Sequence, residues 1–337
     1  MKEFMKINLQ LFAEANTQVT TQDSLSVEMK TFYDMTLIDE AQANLVHEQF
    51  GQQKPIPKNS GKRIEFRKFA SLPKALTPLT EGVTPKGSSI AVENIEAEIA
   101  QFGDYVVISD VLDLTAIDNV ILETTKILGR QAGLTMDTVV RDILQSGTNV
   151  SYAPKIAADG TKTEVTSRAN LDKTSKLTVD LVKRVVAKLK AANAPKINGD
   201  YVAIVHPYVS YDLMSDPSWI EAHKYAKPEN IYEGEIGKLA GVRFIESTEA
   251  KIYKGEGCPA GLAVFGCLFM GANAYGVTTI DGGSLETIIK QKGSGDDPLN
   301  QRSSIGWKGM KTAEILIPAY LVRVECTSDY SDVAAAN

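Results

Sequence analysis

The chain is poor in cysteine and tryptophan, and it has no excess of basic charge. Three cysteines in 337 residues are far too few for a disulfide framework, which predicts a reducing compartment. The formal net charge of −6 argues against a protein whose whole surface binds nucleic acid or an anionic membrane. With 43% hydrophobic residues, the chain can bury a sizeable core in one large domain or in two to three smaller ones.

Long unbroken apolar runs are also missing. The uncharged stretch from Cys258 to Ile280 is long enough to suggest a membrane span, but Pro259, Asn273 and repeated glycines interrupt it. Such a pattern favours buried strands joined by tight turns. The first fifteen residues resemble a leader peptide only superficially, because their apolar patch is short and broken by two polar side chains. We therefore expect neither a membrane segment nor a leader.

Signatures of catalysis and metal binding are absent as well. The sequence has no P-loop, no His-Glu-x-x-His and no Gly-x-Ser-x-Gly, and Cys258 and Cys267 lack the close spacing of a zinc site. His206 is followed by Ser210 and Asp212, so a hydrolase site is one alternative, although nearness in sequence does not supply triad geometry. A histidine that ends a strand and caps the next helix is the favoured interpretation. We predict no catalytic residue, no cofactor and no metal.

Helical spacing is strongest from Asn119 to Ser146. There one apolar stripe steps by three and four residues, and it consists of Ile121, Thr125, Leu128, Ala132, Met136, Val139 and Ile143. Weaker patterns predict helices from Val27 to Phe50 and from Thr178 to Ala192. Residues 314–326 are expected to form one β-rich run with Pro318 at an edge or bulge. Shorter strands are predicted at 202–205, 242–245, 261–270 and 285–290.

Between the first two predicted helices, charge is sorted into two blocks. Residues 54–74 hold one acid and seven bases, a balance of +6, and the bases are Lys54, Lys58, Lys62, Arg63, Arg67, Lys68 and Lys74. Residues 75–118 hold one base and eight acids, a balance of −7, and the acids are Glu81, Glu93, Glu96, Glu98, Asp104, Asp110, Asp113 and Asp118.

These blocks are expected to form a long two-stranded hairpin. Residues 63–67 and 95–99 alternate in polarity, and the segment between them, 70–89, is rich in proline and glycine. An isolated hairpin is marginally stable in water, so we expect support from outside the chain. Opposite charges of similar size favour docking on another protein over binding to phosphate.

Several stretches resemble a known family in their order and spacing. They are Met5–Ala13 (MKINLQLFA), Leu79–Pro85 (LTEGVTP), Ile108–Asp110 (ISD), Leu114–Asp118 (LTAID), Gly234–Arg243 (GEIGKLAGVR), Gly271–Gly276 (GANAYG), Asp297–Arg302 (DPLNQR) and Gly306–Lys308 (GWK). With the order of predicted elements, they resemble the major capsid protein of tailed bacteriophages, which has the Johnson fold of Hong Kong 97 type. The first of these stretches is similar to the opening of many structural proteins in phages of Gram-positive bacteria. The others resemble the branch named after the major capsid protein of phage N-four.

The resemblance implies an α+β capsid fold with six segments. They are an N-terminal arm (1–28), a helix leading to the loop (29–50), an extended loop (51–105), a peripheral domain with the spine helix (106–169), an α/β axial domain (170–310), and a returning peripheral-domain strand with the tail (311–337). The extended loop would lie over a neighbouring subunit. Its expected assembly residues are Lys54, Lys58, Lys62, Arg63, Arg67, Lys68, Lys74, Glu81, Glu93, Glu96 and Glu98.

The implied function is structural and not enzymatic. Copies of the chain would form hexamers and pentamers of an icosahedral shell that encloses double-stranded phage DNA without sequence-specific binding. Expected partners are a separate scaffolding protein and a portal, with decoration proteins left open. The shell would assemble in the host bacterial cytoplasm and end in the virion. The alternatives are an encapsulin-like cargo compartment, a tail or decoration protein, and an α/β hydrolase built around His206.

The absence of an assignable cross-linking site generates the first prediction. Some relatives join a lysine to an asparagine of a neighbour, and no such trio with an acid can be placed in this sequence. Shells boiled in detergent should therefore run as a single band at the mass of one subunit. A ladder of linked oligomers that survives both detergent and reductant would contradict a non-covalent shell.

Overall fold

The computed structural model describes residues 27–42, 44–57, 61–69, 72, 74–78, 81–82, 84, 87–90, 92–115, 120–157, 159–224, 237–278, 285–292 and 299–337. The described helices are α1 (Val27–Gln42), α2 (Asp110–Thr115), α3 (Val120–Gln145), α4 (Val179–Ala191), α5 (Pro207–Met214) and α6 (Pro217–Lys224). The described strands are β1 (Gln52–Gln53), β2 (Arg63–Phe69), β3 (Val92–Glu98), β4 (Ala100–Ser109), β5 (Val150–Tyr152), β6 (Lys155–Ile156), β7 (Lys162–Thr163), β8 (Tyr201–Val205), β9 (Lys238–Leu239), β10 (Val242–Glu246), β11 (Ile252–Tyr253), β12 (Val264–Met270), β13 (Tyr275–Thr278), β14 (Glu286–Lys290), β15 (Arg302–Ile315) and β16 (Leu321–Cys326).

The chain divides into two compact units. The first comprises Met1–Ala41, Gly103–Ala132 and Leu285–Lys308, and the second comprises Gln42–Phe102, Gly133–Ser284 and Gly309–Asn337. These units cut across the six segments expected from the sequence, and the assignment of those segments to capsid domains stays a prediction.

In the first unit, two helices pack closely and three strands lie side by side. A Cβ on Gly129 of α3 would come within 2.9 Å of the Leu37 carbonyl oxygen, so glycine is what lets α1 approach. Nearby, Arg130 Nε lies 3.0 Å from Glu40 Oε2. The start of β15 pairs with β4 and also with β14, which runs antiparallel to it. α1, which has a weak apolar stripe of its own, is thus held by tertiary contacts.

The second unit is built on a seven-stranded sheet in the order β5-β16-β12-β8-β10-β9, with β11 paired to β12. Every residue of β8 is buried. Its odd-numbered side chains join the core formed with α4 and α5, and Val202 and Ile204 join the core that contains Val140 and Leu144. Because both faces of the strand are covered, its sequence is continuously apolar and does not alternate.

The long helix is confirmed, but its buried stripe differs from the predicted one towards both ends. Thr125, Leu128, Ala132 and Met136 are buried as expected, whereas Ile121 is only half-buried. After Met136 the buried apolar positions are Val140 and Leu144. Val139 is only half-buried, and Ile143 lies at the edge of the core. Successive steps of four residues exceed the 3.6 residues of a helical turn, so the buried stripe moves around the helix towards its C-terminal end. Asn119, the predicted first residue of this helix, lies outside the described residues.

Two other expectations about elements were wrong. The first helix ends at Gln42 and not near Phe50, and residues 47–50 form a turn. The returning strand is two strands, because Pro318 starts a 3-10 turn at Pro318–Tyr320 between β15 and β16. Proline has no N–H to donate, so a regular ladder stops there. β16 then pairs with β12 inside the seven-stranded sheet, away from any edge.

The uncharged run that begins at Cys258 contains β12 and β13, so the prediction of buried strands is confirmed. Among the helices that the structure describes, none has the length and apolarity that a bilayer crossing requires.

The buried stripe of α3 generates a stability prediction with a neighbouring control. Leu128 is 2% exposed, whereas Ile127, the adjacent residue, is 65% exposed. Leu128→Asp should destabilise the subunit by about 3 kcal/mol or more, because it buries an unpaired carboxylate. Ile127→Asp should change the melting temperature little. Equal melting temperatures for the two variants would show that the helix face is misassigned.

Candidate assembly interface

The predicted hairpin exists as β2 paired antiparallel with β3. Arg63 lies opposite Glu98 at the base of the ladder, and Phe69 lies opposite Val92 at its far end. Because side chains alternate across a strand, the pairing gives the hairpin one apolar face and one charged face. Ile64 and Phe66 are on the apolar face.

The apolar face packs against the same chain. Ile64, Phe66 and Ala97 form a cluster with Ile99, Ile56 and Leu316, and Met310 and Ile317 pack at its edge. Gly276 of β13 makes this contact possible, because a Cβ there would come within 2.5 Å of the Phe66 ring. The base of the hairpin is therefore supported inside the second unit, which corrects the expectation that support must come wholly from outside the chain.

Ion pairs join the two strands on both faces of the hairpin. On the charged face, Arg63 lies 3.4 Å from Glu98 and 3.7 Å from Glu96. Glu65 is directly opposite Glu96, and its carboxylate accepts a hydrogen bond from Asn94. Lys68 lies 3.3 Å from Glu93 on the same side as Phe66, beyond the apolar cluster, and its side chain is 34% exposed. The other paired groups are largely exposed, so each pair contributes less than about 1 kcal/mol.

The remaining predicted interface residues carry charge that the hairpin does not neutralise. Lys54 is bound to the base of the hairpin, because its Nζ donates to the Glu65 carbonyl and lies over the Phe66 ring. The exposed residues Lys62, Arg67, Lys74 and Glu81 form no ion pair with any described residue. Lys58 lies outside the described residues, as does Asp118. The structure therefore brings together Arg63, Lys68, Glu93, Glu96 and Glu98, and leaves the others apart.

A buried polar cluster fixes the turn that leads from α1 to the hairpin. Asp137 Oδ1 of α3 accepts the backbone N–H groups of Val46 and His47, at 2.8 and 2.7 Å. Its Oδ2 lies 2.6 Å from His47 Nδ1, and both side chains are fully buried. The Tyr275 hydroxyl donates to the His47 carbonyl. These bonds replace helical ones at residues 46 and 47, which explains why α1 stops early.

A second buried pair lies next to this cluster. Lys311 of β15 contacts the Glu48 carboxylate, and burial lowers the pKa of the Lys311 ammonium to about 8. Burial also raises the pKa of the Tyr275 hydroxyl, which therefore stays protonated as a donor. The pairing accounts for a lysine inside a sheet, since a buried charge needs a partner.

Sequence reasoning missed this cluster, although one signal for it was present. Asp137 and Arg141 lie beside the apolar stripe of α3, and both are buried. A charged residue next to the inward face of an amphipathic helix indicates a buried partner somewhere else in the chain. The sequence alone did not say that this partner was His47.

His206 does not form a catalytic triad with Ser210 and Asp212. Its Nδ1 accepts the backbone N–H of Tyr208, so it caps α5, as the favoured interpretation predicted. The Ser210 hydroxyl contacts Glu246, and Asp212 pairs with Lys176. Burial lowers the pKa of the His206 imidazole, which favours the neutral form that accepts this bond. Among the described residues, no group of His, Cys, Asp and Glu side chains could hold a metal ion.

The Asp137 cluster generates a second stability prediction. Asp137→Ala would leave two buried backbone N–H groups and His47 without their acceptor, at a cost of about 3 kcal/mol or more. The matched control is Asp104→Ala, because Asp104 is exposed and the bonds that it accepts, from the Gln131 side chain and the Tyr105 N–H, lie at the surface. Thermal unfolding of the two variants measures the difference. If the Asp137→Ala protein were as stable as the control, the cluster would not stabilise the subunit as proposed.

Comparisons with known proteins agree on one family. The family model described as "Phage capsid protein" matches residues 93–324. The capsid protein of Ralstonia phage GP4 is 14% identical, with a TM-score of 0.64 over 97% of this chain and 99% of that chain. The capsid protein of cyanophage P-SCSP1u is 16% identical, with a TM-score of 0.63 over 83% and 87%. That of cyanophage Pam1 is 13% identical, with a TM-score of 0.60 over 98% and 100%.

No curated protein matches the sequence. At identities this low, the structural matches show the fold, which is the mixed helix-and-sheet fold of Hong Kong 97-like capsid subunits. The family match covers most of the chain and begins within the second strand of the hairpin, at residue 93 of β3. The chain therefore belongs to the phage capsid protein family, as a major capsid subunit of the head shell.

Proposed function

We propose that the hairpin is the principal assembly element of this capsid subunit, and that it lies on a neighbouring copy within hexamers and pentamers of the shell. The observation that carries the proposal is the contrast between its two ends. The base packs on its own chain through Ile64 and Phe66. Towards the tip, Leu72, Leu76, Ile90 and Val92 are all exposed, between 48% and 82%. Apolar side chains collected at one end of a hairpin favour burial against another protein.

The charges left over from the hairpin's own ion pairs would direct this docking. Lys62, Arg67 and Lys74 are exposed bases without an ion-pair partner among the described residues. Unpaired surface charges of one sign steer association more than they add to affinity. We expect them to face acidic side chains of the adjacent subunit.

The proposed shell also has expected contents, a place of assembly and partners. A chain with net charge −6 would enclose DNA without binding its phosphates tightly, so the DNA could leave the shell. The three cysteines are free thiols, which agrees with assembly in a bacterial cytoplasm. A separate scaffolding protein and a portal are the expected partners, with decoration proteins left open. The N-four branch also stays a prediction.

Charge reversal on β2 tests the proposal. The triple variant Arg63→Glu, Arg67→Glu, Lys68→Glu should remain folded, because the pairs it breaks are exposed and each contributes less than about 1 kcal/mol. Shell assembly should fail or require much higher protein concentration. Circular dichroism with thermal melting measures the fold, and sedimentation measures hexamers, pentamers and shells.

The control is Lys183→Glu, which reverses an exposed lysine on α4 outside the hairpin. It should leave both fold and assembly unchanged. Normal shell yield from the triple variant would contradict the proposed role of the hairpin in assembly. An unfolded triple variant would mean that the charged face contributes to the subunit's own stability.

A further inference from the structure

Strand β4 has a free edge that carries exposed apolar side chains. In the described part of the chain, β15 is the only strand that pairs with it. Tyr105, Val106 and Val107 follow one another and are 69%, 40% and 51% exposed, so neither face of the strand is covered there. Its ten residues, AQFGDYVVIS, contain no proline, lysine or arginine. Monomeric proteins usually protect an edge strand with such residues, so this one is suited to pairing.

The backbone of β4 shows which residues present their hydrogen-bonding groups at the free edge. The N–H of Asp110, just after the strand, donates to the Gln301 carbonyl at 2.9 Å. The Ile108 carbonyl accepts from the Ser303 hydroxyl at 3.5 Å. Backbone groups alternate in direction along a strand, so even-numbered residues point towards β15. Tyr105 and Val107 therefore point their N–H and C=O groups away from β15. The Tyr105 N–H donates there to Oδ1 of the adjacent Asp104 at 2.8 Å, a bond that it would exchange for one to an incoming strand.

Two glycines hold β4 against β15 and leave the opposite edge clear. A Cβ on Gly103 would come within 2.6 Å of the Trp307 carbonyl oxygen, and a Cβ on Gly306 would come within 2.7 Å of Tyr105 Cβ. The Gln131 side chain bonds both Asp104, at 2.6 Å, and the Trp307 indole, at 3.2 Å. The strand is therefore fixed in place, and its free edge is a preformed surface.

We infer that β4 pairs antiparallel with β4 of a second copy, about a two-fold axis at Val106. This register sets Tyr105 opposite Val107 of the partner subunit, and the two exchange hydrogen bonds through the groups that point outward. Aromatic side chains pair favourably with β-branched ones across strands. Asp104 falls opposite Ile108 of the partner subunit, whereas an axis at Asp104 would set two carboxylates against each other.

The occupant is another copy of this chain because the edge is complementary to itself. Pairing about a two-fold axis buries the same patch on both copies, as isologous interfaces do. Pairing of this kind requires copies of the chain to meet, as they do in a shell of identical subunits. The inference therefore rests on the proposed function. The junction would join the β4, β15 and β14 strands of two copies into one continuous sheet.

Cysteine pairs at the axis test the inference. In the full chain with Cys258→Ser, the remaining cysteines, Cys267 and Cys326, are buried. At the proposed axis, Val106 and Val106 of the partner subunit form a non-hydrogen-bonded pair with Cα atoms about 4.5 Å apart, within disulfide reach. Assembled Val106→Cys shells treated with copper-phenanthroline should give a dimer band on a non-reducing gel. The control Val111→Cys, at a valine that is 63% exposed, should stay monomeric.

Two outcomes of this experiment would overturn the inference. One is that Val106→Cys shells form but stay monomeric after oxidation, and the other is that Val111→Cys cross-links equally well. Electron microscopy of the same samples keeps the two proposals apart. Failure of the unsubstituted chain to form shells would count against the proposed function, whereas shells without the cross-link count against β4 pairing alone.

Charge pairs test the register itself, in the Val106→Cys background. Tyr105→Lys with Val107→Lys sets lysine opposite lysine at both symmetric positions, and cross-linking should fall roughly tenfold. Tyr105→Lys with Val107→Glu sets opposite charges across the junction and should preserve the dimer band. Circular dichroism checks that both variants are folded. Equal cross-linking by the two variants would show that residues 105 and 107 do not face each other.

Discussion

The fold of the hairpin depends on one buried carboxylate. Asp137 accepts the N–H groups of residues 46 and 47 and contacts the His47 ring, so it determines where α1 ends and where the chain turns towards the hairpin. Tyr275 and Lys311, from β13 and β15, hold the same turn from the sheet side. Because these bonds converge on one short segment, they fix the turn in a single arrangement, in which His47 Nε2 is buried without a hydrogen-bond partner among the described residues.

The two faces of the hairpin built on that turn contribute unequally to stability. Its apolar face belongs to the core of the second unit, through Phe66 against Gly276. Its charged face is exposed and internally paired, so it contributes little to folding. Selection can therefore alter the outer charges without unfolding the subunit. The two faces arise from the simplest property of a strand, the alternation of its side chains.

Sequence periodicity predicted the elements whose determinants are local. α3, α4 and both hairpin strands came within a few residues of their observed bounds, because each carries its own repeating pattern. The end of α1 and the sheet position of β16 were mispredicted, because the first depends on Asp137 some 90 residues away and the second on pairing with β12. The two charge blocks in the sequence were enough to predict the hairpin that carries most of the eleven expected interface residues. Only the strand register showed that Arg63, Lys68 and their partners neutralise one another.

The unprotected edge of β4 also bears on the life of the subunit before a shell exists. A strand with consecutive exposed Tyr105, Val106 and Val107 is a template for any extended chain that meets it. In newly made subunits, ordered assembly would thus compete with precipitation, and the outcome would depend on the subunit concentration. High-level expression without assembly partners favours inclusion bodies, whereas slow synthesis or a chaperone that covers the edge favours soluble material.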